Sequence, residues 1–187
     1  MIFKTKEIYT KSNLLSIFRL LLAVPFWFLL DNFNDDNIRM ITFGLCLFAS
    51  LTDILDGYLA RKFNEVTEFG KIIDPLADKV AVGVIVLKLY LIGEISDFYF
   101  WIIILRDVLI FAGGIFITKK IGRVLPSNAL GKLTVITIGI VILMVLLAVD
   151  RNNWVYLLFY YSSTVLIFIS FFGYVLRASE FINSGKR

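Results

Sequence analysis

Six apolar segments separated by short charged connections constrain this chain more than any other feature. They run Leu14–Leu30, Ile38–Thr52, Lys71–Gly93, Phe98–Thr118, Lys132–Val149 and Trp154–Leu176. At ~1.5 Å of rise per helical residue each can cross a hydrocarbon core of roughly 30 Å, some only with flanking residues. Backbone groups in lipid must bond within their own segment, so segments of this kind are helices. The chain is 59% hydrophobic over 187 residues, far more apolar than a soluble domain. The expectation is one all-α integral membrane domain over 1–187, with a six-helix transmembrane bundle over 13–176 and a tail over 177–187. That length leaves no separate soluble domain. Met1–Ser12 sets Lys4, Lys6 and Lys11 beside Ile2, Phe3, Ile8 and Tyr9, the pattern of an interfacial amphipathic helix. The first apolar segment does not read as a cleaved signal, because Arg19 interrupts it and no small-residue cleavage site follows.

Charge orients the bundle. Lys4, Lys6, Lys11, Arg61, Lys62, Lys71, Lys119, Lys120, Arg123, Lys132, Arg177, Lys186 and Arg187 fall on one side. The opposite connections hold Arg39 and Arg151 beside Asp31, Asp35, Asp36, Glu94, Asp97 and Asp150. The positive-inside rule then puts both termini and the loops after segments two and four in the cytoplasm. The net charge of +4 is explained by this topology and does not call for nucleic acid.

Within that apolar frame stand four aspartates. The second segment leads into Asp53-Ile54-Leu55-Asp56-Gly57-Tyr58-Leu59-Ala60-Arg61, and the third opens with Gly70, Asp74-Pro75-Leu76-Ala77-Asp78. Asp53 and Asp56 are i, i+3 and Asp74 and Asp78 are i, i+4, so each pair shares a helical face. Counted from the outer ends of their segments, Asp53 and Asp78 both lie ~22 Å down, and Asp56 and Asp74 ~27 and ~28 Å down. Segments two and three are joined by a short loop and are expected as antiparallel neighbours facing one another. Four carboxylates brought together there repel unless cations hold them, and two divalent ions neutralise the formal charge of −4. Histidine is absent and Cys46 is the single cysteine, which excludes Ser-His-Asp hydrolysis, His-bound zinc and an intrachain disulfide. Hard metals that take oxygen ligands, Mg²⁺ or Mn²⁺, suit this set. Paired metals of this kind serve in-line displacement at phosphorus. Gly57, Ala60 and Arg61 share the Asp53 face, so small residues give a bulky group clearance and Arg61 offers a fork to phosphate. Gly70, one turn before Asp74, gives similar clearance.

The pattern Asp53-x2-Asp56-Gly57-x2-Ala60-Arg61-x8-Gly70-x3-Asp74-x3-Asp78 resembles, at every specified position, the signature of the CDP-alcohol phosphotransferase family. The resemblance implies that Asp53, Asp56, Asp74 and Asp78 bind two divalent cations. It implies a CDP-linked lipid beside Gly57, Ala60, Arg61 and Gly70, with Asp78 also taking the proton of the acceptor hydroxyl. CDP-diacylglycerol and a phosphate-bearing alcohol are then the substrates, and a bacterial cytoplasmic membrane is the setting. Asn13-x2-Ser16-x2-Arg19, Asp74-Pro75-Leu76-Ala77-Asp78-Lys79 and Leu130-Gly131-Lys132 are similar to the branch that uses glycerol 3-phosphate. Arg106-Asp107 in the fourth segment, with Gly114 where a further arginine is expected, is more like the branch that uses phosphatidylglycerol.

Either acceptor carries a phosphate, and Arg106, Arg123 and Lys132 are the cations expected to bind it. Arg106 lies about eight residues inside its segment, too deep for simple snorkelling, with Asp107 as its local counter-charge. Arg19 is expected to pair with the active-site region, and Lys88 with a neighbouring helix. A cation transporter is the competing class, but neither inverted repeats nor broken mid-membrane helices are evident. An exposed apolar helix face suits lipid or a homodimer equally.

Overall fold

The computed structural model describes residues 10–62, 70–121 and 129–184, with side chains placed at 10, 13–55, 76–77, 79–117 and 129–180. The expected interfacial helix over 1–12, apart from the start of the first helix, lies outside the described residues, as does Arg123. Every regular element among the described residues is helical.

The first apolar segment forms α1 (Lys11–Leu21), α2 (Ala23–Leu29) and a short 3₁₀ turn (Leu30–Asn32). Pro25 explains the break between the two helices, since its ring lacks an N–H and crowds the carbonyl of Leu21 four residues earlier. Thr10 caps α1, its hydroxyl accepting from the Asn13 N–H at 3.4 Å. Then α3 runs Asp36–Lys62 and α4 Gly70–Leu91. Asp35 starts α3 by accepting from the N–H groups of Asn37 and Ile38 at 2.8 and 3.3 Å. These elements make one compact unit, 1–94, in which α1 packs against both α3 and α4 and α2 packs against α4. The buried face of α4 carries Ala77, Ala81, Ile85, Lys88 and Leu89, the three-and-four spacing of a helix packed on one side.

The second unit, 95–187, contains α5 (Asp97–Ile121), α6 (Ala129–Leu146) and α7 (Trp154–Ser184). Helix α7 continues well past Leu176, where the sequence places the end of the last segment. It packs against α5 and α6, and polar side chains tie these apolar helices together, as expected where lipid gives no hydrophobic drive to association. The hydroxyls of Tyr99 on α5 and Ser163 on α7 lie 2.7 Å apart and are buried. Thr134 on α6 donates to its own Leu130 carbonyl at 2.7 Å and shares that proton with Leu166 of α7 at 3.2 Å.

Among the described residues, five stretches are long and apolar enough to cross a membrane: Asn13–Asn32, Asp36–Leu55, Asp97–Ile117, Ala129–Leu146 and Trp154–Glu180. Helix α4, at 22 residues, matches them in length but carries Lys71, Asp74, Asp78, Lys79 and Lys88. The acids that make it chemically interesting are what separate it from its apolar neighbours. Two helices end in the same hydrogen-bonded turn. After α4, the Gly93 and Glu94 N–H groups donate to Tyr90 and Leu89 at 3.0 and 2.9 Å, with Gly93 at φ +79°. After α6, Ala148 and Val149 donate to Val145 and Met144 at 2.9 and 3.0 Å, with Ala148 at φ +50°. The first uses the residue such a turn favours, and the second puts a Cβ in a left-handed conformation.

Candidate active site

The first unit builds its polar centre on α1. Asn13, Ser16 and Arg19 recur every three residues and are 1%, 0% and 3% exposed, so one face of this apolar helix is polar and buried. An arginine inside a bundle needs an anion. Arg19 finds it on α3, where its Nη1 stands 2.9 Å from Oδ1 of Asp53. The expected pairing of Arg19 with the region of the aspartates is therefore present. The Asp53 side chain remains 49% exposed, so one end of the carboxylate is held and much of it is open.

Asp56, Gly57, Ala60 and Arg61 follow on α3, and Gly70, Asp74 and Asp78 lie on α4. Their backbone is helical, which preserves the one-face spacing, while their side chains lie outside the described ones. Between Asp74 and Asp78 in the sequence, Ala77 is fully buried. The sequence leads one to expect the helices of the two acid pairs to face each other. Among the described residues, α1, α2 and the 3₁₀ turn each pack against both of these helices, α1 most extensively. Among the described residues no group of three or more acidic, cysteine or histidine side chains comes together, and three of the four aspartates lie outside that set.

At the other end of the same unit Lys88, 7% exposed, forms an ion pair with Asp31 of the 3₁₀ turn. Its ammonium lies 4.5 Å from the centre of the Trp27 ring. Sequence alone assigned Lys88 a neighbouring helix but no partner by name.

In the second unit Arg106 is 7% exposed. Its Nη1 donates to Asp107 at 2.6 Å, the counter-charge expected from sequence. Its Nη2 reaches the Gly131 carbonyl at 3.4 Å. A Cβ at Gly131 would stand 3.5 Å from that same nitrogen, an ordinary van der Waals contact. The Nε of Arg106 is buried without a hydrogen-bond partner, a cationic donor left over after these contacts are made. Lys132, next to Gly131, is exposed. Helix α5 also carries Gly113 and Gly114, and Cβ atoms there would meet the Tyr174 hydroxyl at 3.4 Å in both cases. That hydroxyl is buried and lacks a partner. No periodicity in the sequence marks Tyr174, because its contact depends on how α7 crosses α5.

The family model for CDP-alcohol phosphatidyltransferases matches residues 9–175. The chain belongs to that family. Among its relatives, a CDP-diacylglycerol–glycerol-3-phosphate 3-phosphatidyltransferase of Aquifex aeolicus is 33% identical over 179 residues, covering 91% of this chain and 96% of the relative. The like-named protein of Bacillus subtilis is 36% identical over 124 residues, covering 64% of this chain and 63% of the relative. That of Rickettsia bellii is 39% identical over 98 residues, about half of each chain at 52% and 54%.

Proposed function

We propose that this protein transfers the phosphatidyl group of CDP-diacylglycerol to the primary hydroxyl of glycerol 3-phosphate, yielding phosphatidylglycerophosphate and CMP. The observation that carries this reading is the similarity, over nearly the full length of both chains, to the Aquifex relative that bears this activity's name. Phosphatidylglycerol as acceptor, the reading that Arg106-Asp107 and Gly114 raised, is not favoured: the three relatives above are all named for glycerol 3-phosphate.

The donor set fits divalent cations. It is all carboxylate oxygen, and the one ligand whose side chain is described, Asp53, keeps an open side while Arg19 anchors the other. Bound by Asp53, Asp56, Asp74 and Asp78, two Mg²⁺ or Mn²⁺ ions would offset the charge of the donor diphosphate and acidify the acceptor hydroxyl. Arg61 holds the diphosphate as a planar fork, with Gly57, Ala60 and Gly70 giving the nucleotide clearance against the backbone. Arg106, Arg123 and Lys132 bind the acceptor phosphate. Asp78 accepts the hydroxyl proton, the alcohol oxygen bonds to the lipid-side phosphorus, and the bond from that phosphorus to the CMP oxygen breaks.

Around this chemistry the chain is one domain, with α4 as a sixth transmembrane helix and 1–12 lying along the interface. The termini and the reaction face the cytoplasm, where glycerol 3-phosphate is dissolved. The test is purified protein with CDP-diacylglycerol, Mg²⁺ or Mn²⁺, and labelled glycerol 3-phosphate. Labelled lipid and CMP should form in equal amounts, and a chelator or Asp74→Asn should abolish both. If no labelled lipid forms while phosphatidylglycerol drives CMP release, the acceptor assignment is wrong.

A further inference from the structure

Among the described residues, Arg19 is a buried cation of the first unit that lies against an aspartate of the signature. The residue is 3% exposed, yet it comes from α1, while Asp53 comes from α3, and the two meet at 2.9 Å. Arginine does not deprotonate at any working pH, so it brings a fixed positive charge to the place where the proposed function requires cations to bind. A fixed charge there opposes metal binding by simple repulsion, unless its contact with the carboxylate contributes more through geometry than it costs in charge.

Two observations favour geometry. Arg19 Nη1 makes an ion pair with Oδ1 of Asp53 at 2.9 Å while half of the Asp53 side chain stays exposed, so the cation sits on one side of the carboxylate without covering it. Arg19 also stands on a packed helix. It lies in the last turn of α1, where a cation is favoured by the helix dipole. It also shares its buried face with Asn13 and Ser16, and α1 packs against both helices that carry the acids.

We infer that Arg19 is a positioning residue for Asp53, holding one carboxylate oxygen so that the other is presented to a divalent cation. This rests on the reading of Asp53 as a metal ligand, and the test separates the two. Full-length protein in detergent, without CDP-lipid, is titrated with Mn²⁺ and free ion is followed by electron paramagnetic resonance. Partners that orient a ligand typically contribute 10–100-fold to metal affinity. Arg19→Met should therefore weaken Mn²⁺ binding by roughly that factor, and Arg19→Lys, which keeps the charge but not the planar fork, by less. In turnover assays the Mn²⁺ concentration giving half-maximal rate should rise in both, while the KM for glycerol 3-phosphate stays near wild type.

Unchanged or tighter Mn²⁺ binding by Arg19→Met overturns the inference, since it would make Arg19 only a competing charge. Should Arg19→Met fail to fold by circular dichroism, Arg19→Lys decides alone: wild-type Mn²⁺ affinity in it refutes a role for the fork. Asp53→Asn is the control. If it leaves Mn²⁺ affinity untouched, the assignment of Asp53 as a ligand fails, and with it the inference.

Discussion

The ion pair between Lys88 and Asp31 predicts an asymmetry between its two partners. Lys88 is 7% exposed, whereas the Asp31 side chain is 50% exposed. Removing the buried partner leaves an aspartate that water already reaches. Removing the exposed partner leaves a buried ammonium with the Trp27 ring as its recorded companion, 4.5 Å away. Losing one partner of a fully buried pair costs about 3–5 kcal/mol. Two features lower that figure here: half of Asp31 is hydrated, and Lys88 is in the last turn of α4, where its stem can reach towards the interface. Asp31→Ala should cost about 2 kcal/mol. Lys88→Met removes the charge, keeps much of the volume and sets a thioether against Trp27, so its cost should stay below about 1 kcal/mol. The double variant should recover most of the stability lost in Asp31→Ala, because the orphaned charge is gone. Equilibrium unfolding in mixed micelles, read by circular dichroism, gives all three values. Equal losses in the two single variants, or a double variant no better than Asp31→Ala, would refute the reasoning.

Replacing Asp53, Asp56, Asp74 or Asp78 by Asn should each remove CMP release while helical content stays at wild-type level, measured by nucleotide chromatography and circular dichroism on the same preparation. Arg61→Ala should weaken CDP-diacylglycerol binding, while Arg106→Ala and Lys132→Ala should raise the apparent KM for glycerol 3-phosphate; the reverse pattern would mean that the donor and acceptor assignments are exchanged. Ala148→Gly should stabilise the protein by about 0.5–1 kcal/mol, since the turn after α6 holds residue 148 at φ +50°, with thermal unfolding as the readout and a loss of stability as the contrary result.

Much of this protein is legible in local pattern. Runs of apolar residues long enough to cross lipid set the helices. Asp53 with Asp56, and Asp74 with Asp78, share helical faces because three and four residues make about one turn. The signature of eight fixed residues that contains them carries the family on its own. Pro25 also announces its effect, although the sequence reading treated the first segment as unbroken and the structure divides it at Leu21.

What tertiary structure alone decided are the partners. Helix α1 packs against both acid-bearing helices, Arg19 meets Asp53, and Lys88 meets Asp31 across 57 positions. Tyr174 comes to rest over Gly113 and Gly114, and Ala148 takes a backbone angle usually left to glycine. None of these has a period or a spacing. Each depends on where one helix crosses another and how far it is shifted along its axis. Those quantities are set by side chains from several segments packing at once, whereas helix formation is set within a single segment by its own hydrogen bonds and by the lipid around it.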